Sequence, residues 1–407
     1  MVNMYQELKL FFFVYYFGII FIGDKMRIGL FIDTFYPMID GVITVVDNYA
    51  RILSKKCDVI VFAPNTGKYD DSKLPYKVVR CKSIKVPKLD YSLPLPKVDR
   101  KFIKELEEYN LDIVHIHSPA TIGMLGVEYA RKKNIPLFGT IHSQFYKDFY
   151  RATRSKLLSN KLTKRTMNLF SKCDVCYTVN EGMKSVVINE YHFKKELKLA
   201  RNGTDWKLVN DVNKSKDRIK NLYNIKNENI FLFVGRINKL KNIFLIVDAL
   251  NYIKDKVNFK MLFVGDGQDK LELKRKIKEY HLEDKIILCG KCSDRELLKD
   301  YYASSDLFLF PSLYDASSVV QVEAASQMCP GVFIKGSATS SSIIDKHNGY
   351  LSDNDYKSYG NKIVDIISNR NELNMVRKNA YKEIYCTWDS EVKKVYNEYI
   401  NLLKEKK

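Results

Sequence analysis

Acids are in short supply in this chain, and three things are missing: an apolar run long enough to span a membrane, a paired zinc motif and a complete dinucleotide fingerprint. The 407 residues carry 67 Lys and Arg against 48 Asp and Glu, a formal charge of +19. Such an imbalance implies attraction to something anionic, whether nucleic acid, an acidic membrane or a phosphorylated substrate. No recognisable nucleic-acid module organises the cations, which argues against nucleic acid as the partner. The apolar run Leu10 to Gly23, LFFFVYYFGIIFIG, has 14 residues, whereas a spanning helix needs about 20. It also lacks the basic flank and small-residue cleavage site of a signal peptide. Residues 1–25 are therefore either a monotopic anchor or an upstream extension before a start at Met26, and the strand-like MRIGLFI that begins there favours the extension.

Eight cysteines include the C-x-x-C pairs Cys173/Cys176 and Cys289/Cys292. More than a hundred residues separate the two pairs, too far for an ordinary zinc site. We expect buried, reduced thiols of a cytosolic protein and no metal. Val264-Gly265-Asp266-Gly267 lacks the third glycine and the βαβ context of a dinucleotide site, which excludes NAD.

What is present, from Met26 onward, is an alternation of short apolar runs with amphipathic stretches, the grammar of parallel α/β sheets. Strands are expected at Ile28–Ile32, Val59–Phe62, Ile113–Ile116, Leu137–Thr140 and Val175–Val179, with helices at Gly41–Ser54 and Thr121–Lys133. A second series follows at Ile230–Val234, Lys260–Val264, Ile286–Cys289, Leu307–Phe310 and Gly331–Ile334. The length suits two domains, placed at 26–205 and 206–385 with the turn Asn202-Gly203-Thr204-Asp205 at the join. A final segment, 386–407, holds an amphipathic helix with Val392, Val395, Tyr399 and Leu402 at helical spacing. The fold class is thus two doubly wound, Rossmann-like α/β domains facing a cleft, with the last helix crossing back to the first domain. Ligands of such sheets bind at strand C-termini.

Candidate chemistry sits at those ends. Asp315 and Glu323 lie eight residues apart across a strand-to-helix turn, LFPSLYDASSVVQVE. Backbone N–H groups at Ser318, Val319 and Val320 would suit a diphosphate, and the carboxylates would accept from hydroxyls. The local pattern equally fits a plain capping box between Ser318 and Gln321. Gly41 opens another helix after a strand, where a missing side chain lets a phosphate approach. Arg236 and Lys241 follow the first strand of the second half, a planar fork and a compact charge for phosphate oxygens. His142 follows the strand that ends at Thr140, in Thr140-Ile141-His142-Ser143, pointing towards the cleft, while of His115 and His117 an alternating strand can bury one and expose the other.

These motifs, DTFYPMIDGV, GTIHS, RNGTD, FVGRINKLKN, FVGDGQD, DLFLFPS and the acidic pair, resemble in their order the family 4 retaining, nucleotide-sugar-dependent glycosyltransferases of GT-B fold. The match runs from about Met26 to the C-terminus. The resemblance implies an N-terminal acceptor domain and a C-terminal donor domain. It implies Asp315 on sugar hydroxyls, Glu323 on the ribose, Arg236 and Lys241 on the diphosphate, assisted by Gly41 and residues 318–320, and His142 beside the donor sugar. It implies a UDP-sugar as substrate with neither cofactor nor metal. Three departures bear on the donor sugar: Asp315 replaces the usual Glu, Ser317-Ser318 the usual Phe-Gly, and Lys335-Gly336-Ser337-Ala338-Thr339 the usual Gly-Gly-x-Pro-Glu loop. They are similar to a bacterial subgroup that includes diacylglycerol glucosyltransferases.

A lipid acceptor accounts for the stretch 145–165, where seven cations meet one acid, Asp148, among aromatic and leucine neighbours. Phe145, Phe149, Arg151, Arg154, Lys161, Lys164 and Arg165 are expected to meet an anionic membrane, each cation contributing about 1 kcal/mol near the surface. The expected activity is hexose transfer, glucose first, from a UDP-sugar to 1,2-diacylglycerol by a peripheral enzyme on the cytoplasmic face of the membrane. The alternatives are transfer to a capsular, cell-wall or polyprenyl-linked glycan, and a catalytically silent nucleotide-sugar binder.

Overall fold

The computed structural model describes residues 25–38, 40–85 and 92–406, so the expectation for residues 1–24 lies outside the described residues. The first sheet and its hairpin comprise β1 (Arg27–Phe31), β2 (Asp58–Pro64), β3 (Lys77–Cys81), β4 (Ser83–Lys85), β5 (Ser92–Pro94), β6 (Ile113–Ile116), β7 (Leu137–Ile141), β8 (Val175–Thr178) and β9 (Leu197–Leu199). Seven of these pair in the order β3-β2-β1-β6-β7-β8-β9, and β4 with β5 form a separate antiparallel pair. The second sheet comprises β10 (Asn229–Val234), β11 (Phe259–Val264), β12 (Ile286–Gly290), β13 (Leu307–Leu309), β14 (Gly331–Ile334) and β15 (Tyr350–Ser352), in the order β12-β11-β10-β13-β14-β15. Both sheets are parallel and reverse their winding beside their first strand.

Central strands form where helices cover both faces, so Ile113–Ile116 and Ile230–Val234 are continuously buried. All ten expected strands are present. Five were not expected: the short hairpin strands β4 and β5, and the sheet edges β3, β9 and β15, where Lys77–Cys81 and Leu197–Leu199 mix buried with half-exposed positions and show no apolar run. The helix Gly41–Leu53 starts on the Asp40 side chain, which accepts from Ile43 N, and turns Ile43, Val46, Ala50 and Leu53 to the core. The helix Thr121–Lys133 stops at Asn134 in the left-handed region, with three cations in its last turn.

Each domain has its own core; Ala200 belongs to the first and Trp206 to the second. The helix Trp388–Lys406 follows the second domain yet buries Trp388, Val392, Val395 and Tyr399 in the first domain's core beside Tyr49. At roughly 1.5–3 kcal/mol for each large apolar side chain, this strap ties the two domains together. Its root is pinned where Thr204 N donates to Cys386 O (3.0 Å). All eight cysteines are free; Cys173 and Cys176 are buried, whereas Cys289 and Cys292 are only half-buried. The glycine pair of FVGDGQD serves backbone packing. A Cβ on Gly265, whose φ is +145°, would stand 1.9 Å from Gly235 O, and one on Gly267 2.3 Å from Ile237 O. Those contacts hold the Arg236 loop against its neighbour.

Candidate active site

A cavity of about 620 Å³ lies between the domains at the C-terminal ends of both sheets. Gly41 and His142 line it from the first domain, and Arg236, Lys241 and Asp315 from the second. Five residues from four separate loops, named from sequence, thus meet in one space. Arg236 is exposed there and makes no side-chain hydrogen bond or ion pair among the described residues. Lys241 does not face the cavity alone: its Nζ pairs with Asp315 Oδ1, while Ser312 Oγ donates to Asp315 Oδ2 at 2.5 Å. Both partners are more than four-fifths buried. A cation and an anion expected separately as phosphate and sugar ligands are thus paired with each other. At Gly41 nothing lies within 4 Å of where a Cβ would stand, so the backbone is open to the cavity. Asp40, also in the lining, already occupies that helix terminus through its bond to Ile43 N (2.9 Å).

The three histidines form one stack. His115 is buried, with its ring nitrogens 2.5 Å from Tyr399 Oη and 2.7 Å from Thr140 Oγ1. His117 stacks on it at 4.1 Å, and His117 Nδ1 lies 3.1 Å from His142 Nε2. Only His142 reaches the cavity. Burial pushes the imidazoles of His115 and His142 down to about 3, and that of His117 well below its ordinary value, so all three are neutral. His142 is a hydrogen-bonding group here, not a cation.

Several expected residues stand elsewhere. The lining stops at Ser317. Ser318 caps the helix Val319–Ser326 by position only, with no side-chain hydrogen bond. The Ser318/Gln321 capping box is not made, because Gln321 Nε2 turns to Ser342 Oγ (3.4 Å). Val319 and Val320 therefore keep N–H groups without a side-chain acceptor. Glu323 lies outside the lining, where Tyr302 Oη donates to it at 3.2 Å, and burial pushes its carboxyl up to about 7. Among the residues assigned to the membrane, Phe145 is core, stacked on Phe149 and Phe170. Phe149 and Arg151 line the cavity instead, Arg151 lying 5.1 Å over the Tyr314 ring and 3.8 Å from Asp148. The helix Phe145–Thr153 follows β7 at the cleft, so Phe145 and Phe149 pack inward while Tyr150 stays exposed.

Sequence reasoning missed a further set. Gln144, Lys147, Asn180 and Asn202 reach from the first domain to the backbone of the Asp315 loop. Asp148 accepts from Tyr314 Oη, and burial raises its carboxyl to about 6. Asn180 and Asn202 sit in strand-end sequences that read locally as turns, and their partners lie more than a hundred residues away.

Two opposed domains of the same winding, with a cleft between them that Arg151, Arg236 and Lys241 share with Asp40, Asp148 and Asp315, call for comparison with known proteins. The sequence model for "Glycosyltransferase Family 4" matches residues 39–207 and that for "Glycosyl transferases group 1" matches residues 215–383. The chain is a family 4 glycosyltransferase. Alpha-monoglucosyldiacylglycerol synthase of Acholeplasma laidlawii is 26% identical over 388 residues, covering 89% of this chain and 95% of that protein. UDP-Gal:alpha-D-GlcNAc-diphosphoundecaprenol alpha-1,3-galactosyltransferase of Escherichia coli is 25% identical over 387 residues, covering 91% and 96%. Among solved structures, Anabaena HepE in complex with UDP and glucose superposes with a TM-score of 0.73 at 15% identity, covering 92% of this chain and all of that one. The enzyme has the GT-B fold and is a nucleotide-sugar glycosyltransferase.

Proposed function

We propose that the enzyme transfers a hexose, glucose first, from a UDP-sugar to diacylglycerol with retention, while docked on the anionic cytoplasmic surface of a membrane. The observation that carries the lipid acceptor is the outer face of the helix Lys156–Phe170. Lys156, Lys161, Lys164 and Arg165 are exposed there, as is Arg154 in the turn before it, and none has an ion-pair partner among the described residues. Leu157, 82% exposed, and Leu158 stand beside them. Leu157, Lys161, Lys164 and Asn168 fall at helical spacing on one stripe. Unpaired cations flanking exposed leucines suit phospholipid headgroups over acyl chains. Among the described residues no helix is long and apolar enough to cross a membrane. The names of the synthase of Acholeplasma laidlawii and of the UDP-galactose enzyme of Escherichia coli support the donor and the lipid-linked acceptor.

In this reading Arg236 and the N–H groups at the start of Val319–Ser326 take the diphosphate. Lys241 shifts to the phosphates as the donor enters, and Asp315 exchanges that ammonium for sugar hydroxyls. Stabilising the departing nucleotide diphosphate is then the main catalytic device. Radiolabelled UDP-glucose with diacylglycerol in anionic vesicles should give a labelled lipid. No labelled lipid with any nucleotide sugar would sink the lipid assignment. Reversing charge at Arg154, Lys161 and Lys164 should abolish vesicle binding. Unchanged binding and activity would favour the second reading, a polyprenyl-linked glycan acceptor, for which the relative from Escherichia coli speaks.

A further inference from the structure

Five consecutive carbonyls of the Asp315 loop each receive a side-chain donor from the first domain. Lys147 Nζ donates to Leu313 O (2.8 Å). Gln144 Nε2 donates to Tyr314 O (2.8 Å) and Asp315 O (3.2 Å). Asn180 Nδ2 donates to Ala316 O (2.7 Å), and Asn202 Nδ2 to Ser317 O (3.2 Å). Three of the four donors are neutral amides, and all three amides are buried. At Gln144 and Asn180 the orientation follows from chemistry: only an NH₂ group bridges two carbonyls, as at Gln144. At Asn180 the oxygen is occupied in capping Met183 N (2.7 Å) while the nitrogen also serves Ala338 O (3.1 Å).

A carbonyl withdrawn from water without a donor loses about as much as a hydrogen bond, so the amides that serve the buried Ala316 and the half-buried residues 314, 315 and 317 favour one backbone path through Asp315. The carboxylate itself is held within its own domain, by Lys241 and Ser312. Backbone and side chain of one residue are thus governed from opposite sides of the cleft. We infer that Gln144, Asn180 and Asn202 are positioning residues that make Asp315 ready for the donor sugar only when the two domains are closed. A bound donor is then engaged for transfer when the acceptor-bearing domain has arrived, and is spared from water otherwise. The inference rests on the reading of Asp315 as the sugar-holding carboxylate.

Gln144→Glu, Asn180→Asp and Asn202→Asp keep shape but replace each donor by a group that repels the carbonyls. Each should lower kcat roughly 10- to 100-fold, while the Kd for UDP by calorimetry and the Tm stay near wild type. Small-angle scattering with UDP bound should show the wild type compact and the variants expanded. Wild-type kcat and compactness in all three would overturn the inference. So would a parallel loss of UDP binding, which would make the amides merely structural. Asp315→Ala in the same assay separates the two layers. If it transfers at the wild-type rate, the sugar-holding role fails; if it is inactive while the amide variants are active, only the positioning role fails. Where the acceptor proves to be a glycan, the ratios are measured with that acceptor.

Discussion

The helices that follow the fourth strand of each sheet occupy the same place in the same winding, and their N-termini have opposite fates. In the first domain the loop after β1 inserts Asp33 beneath the helix Thr121–Lys133. Its carboxylate accepts from Ile122 N (2.7 Å), Ala120 N (3.1 Å), Gly123 N (3.4 Å), Ser118 Oγ (2.7 Å) and Thr121 Oγ1 (3.3 Å). In the second domain the loop after β10 carries Arg236 into the cavity, where it makes no side-chain hydrogen bond or ion pair among the described residues, and Val319–Ser326 has no side-chain cap. A helix N-terminus attracts an anion in either case. One is filled by an internal carboxyl, although burial raises its pKa above the ordinary carboxylate value; the other keeps N–H groups with no side-chain acceptor among the described residues. The same topology thus closes one helix terminus and leaves the other open, and in the proposed reading the open one takes the donor's diphosphate.

The difference can be broken from either side. The largest effect should come from Asp33→Ala, which leaves the buried N–H groups of Ile122 and Gly123 without their acceptor and removes three further half-buried bonds, and should cost about 3–5 kcal/mol. Urea unfolding with an unchanged midpoint would show the plug to be dispensable. Next is the pH response of Glu323, held protonated near neutrality by burial and a raised carboxyl of about 7. The folded chain keeps a proton that the unfolded chain releases, so stability should fall as pH rises from 5 to 8, by on the order of 2 kcal/mol. Glu323→Gln should flatten that slope, and an equal slope in both proteins would refute the assignment. Val319→Pro should be tolerated structurally, because proline fits the first helical position and Ser318 is already extended (φ −101°, ψ 125°). Removing that N–H from the diphosphate site should lower kcat/KM about tenfold, or ~1.4 kcal/mol; unaltered kinetics would place the phosphate elsewhere. The smallest change, Ser318→Asp, copies the plug into the second domain. It should stabilise the fold by about 0.5–1 kcal/mol while raising the donor KM. A stabilised variant that binds donor normally would contradict the comparison.

The central strands were legible because burial on both faces leaves runs such as FLFV and IVHI, whereas the edge strands β3, β9 and β15 carry no such run. Arg236, Lys241, Asp315, His142 and Gly41 were legible as strand-end residues in an ordered set of motifs. The pairing of Lys241 with Asp315 was not, since 74 residues separate them. Asn202 reads as turn chemistry in RNGTD, and nothing local distinguishes a turn amide from one that holds a carbonyl 115 residues away. Phe145 and Phe149 misled for a related reason. Aromatic and basic residues at helical spacing describe a membrane face and a cleft wall equally well until the packing of β7 and its helix is known.

By itself the sequence determined the parallel α/β grammar, the two halves, the excess of cations and the motifs of a family 4 glycosyltransferase, because periodicity and short-range spacing are local properties of the chain. The tertiary structure alone decided which helix terminus receives Asp33, which carboxylate is neutralised by Lys241, and which domain holds each carbonyl of residues 313–317. Those outcomes depend on distances between groups remote in sequence, and a hydrogen bond is decided within a few tenths of an ångström.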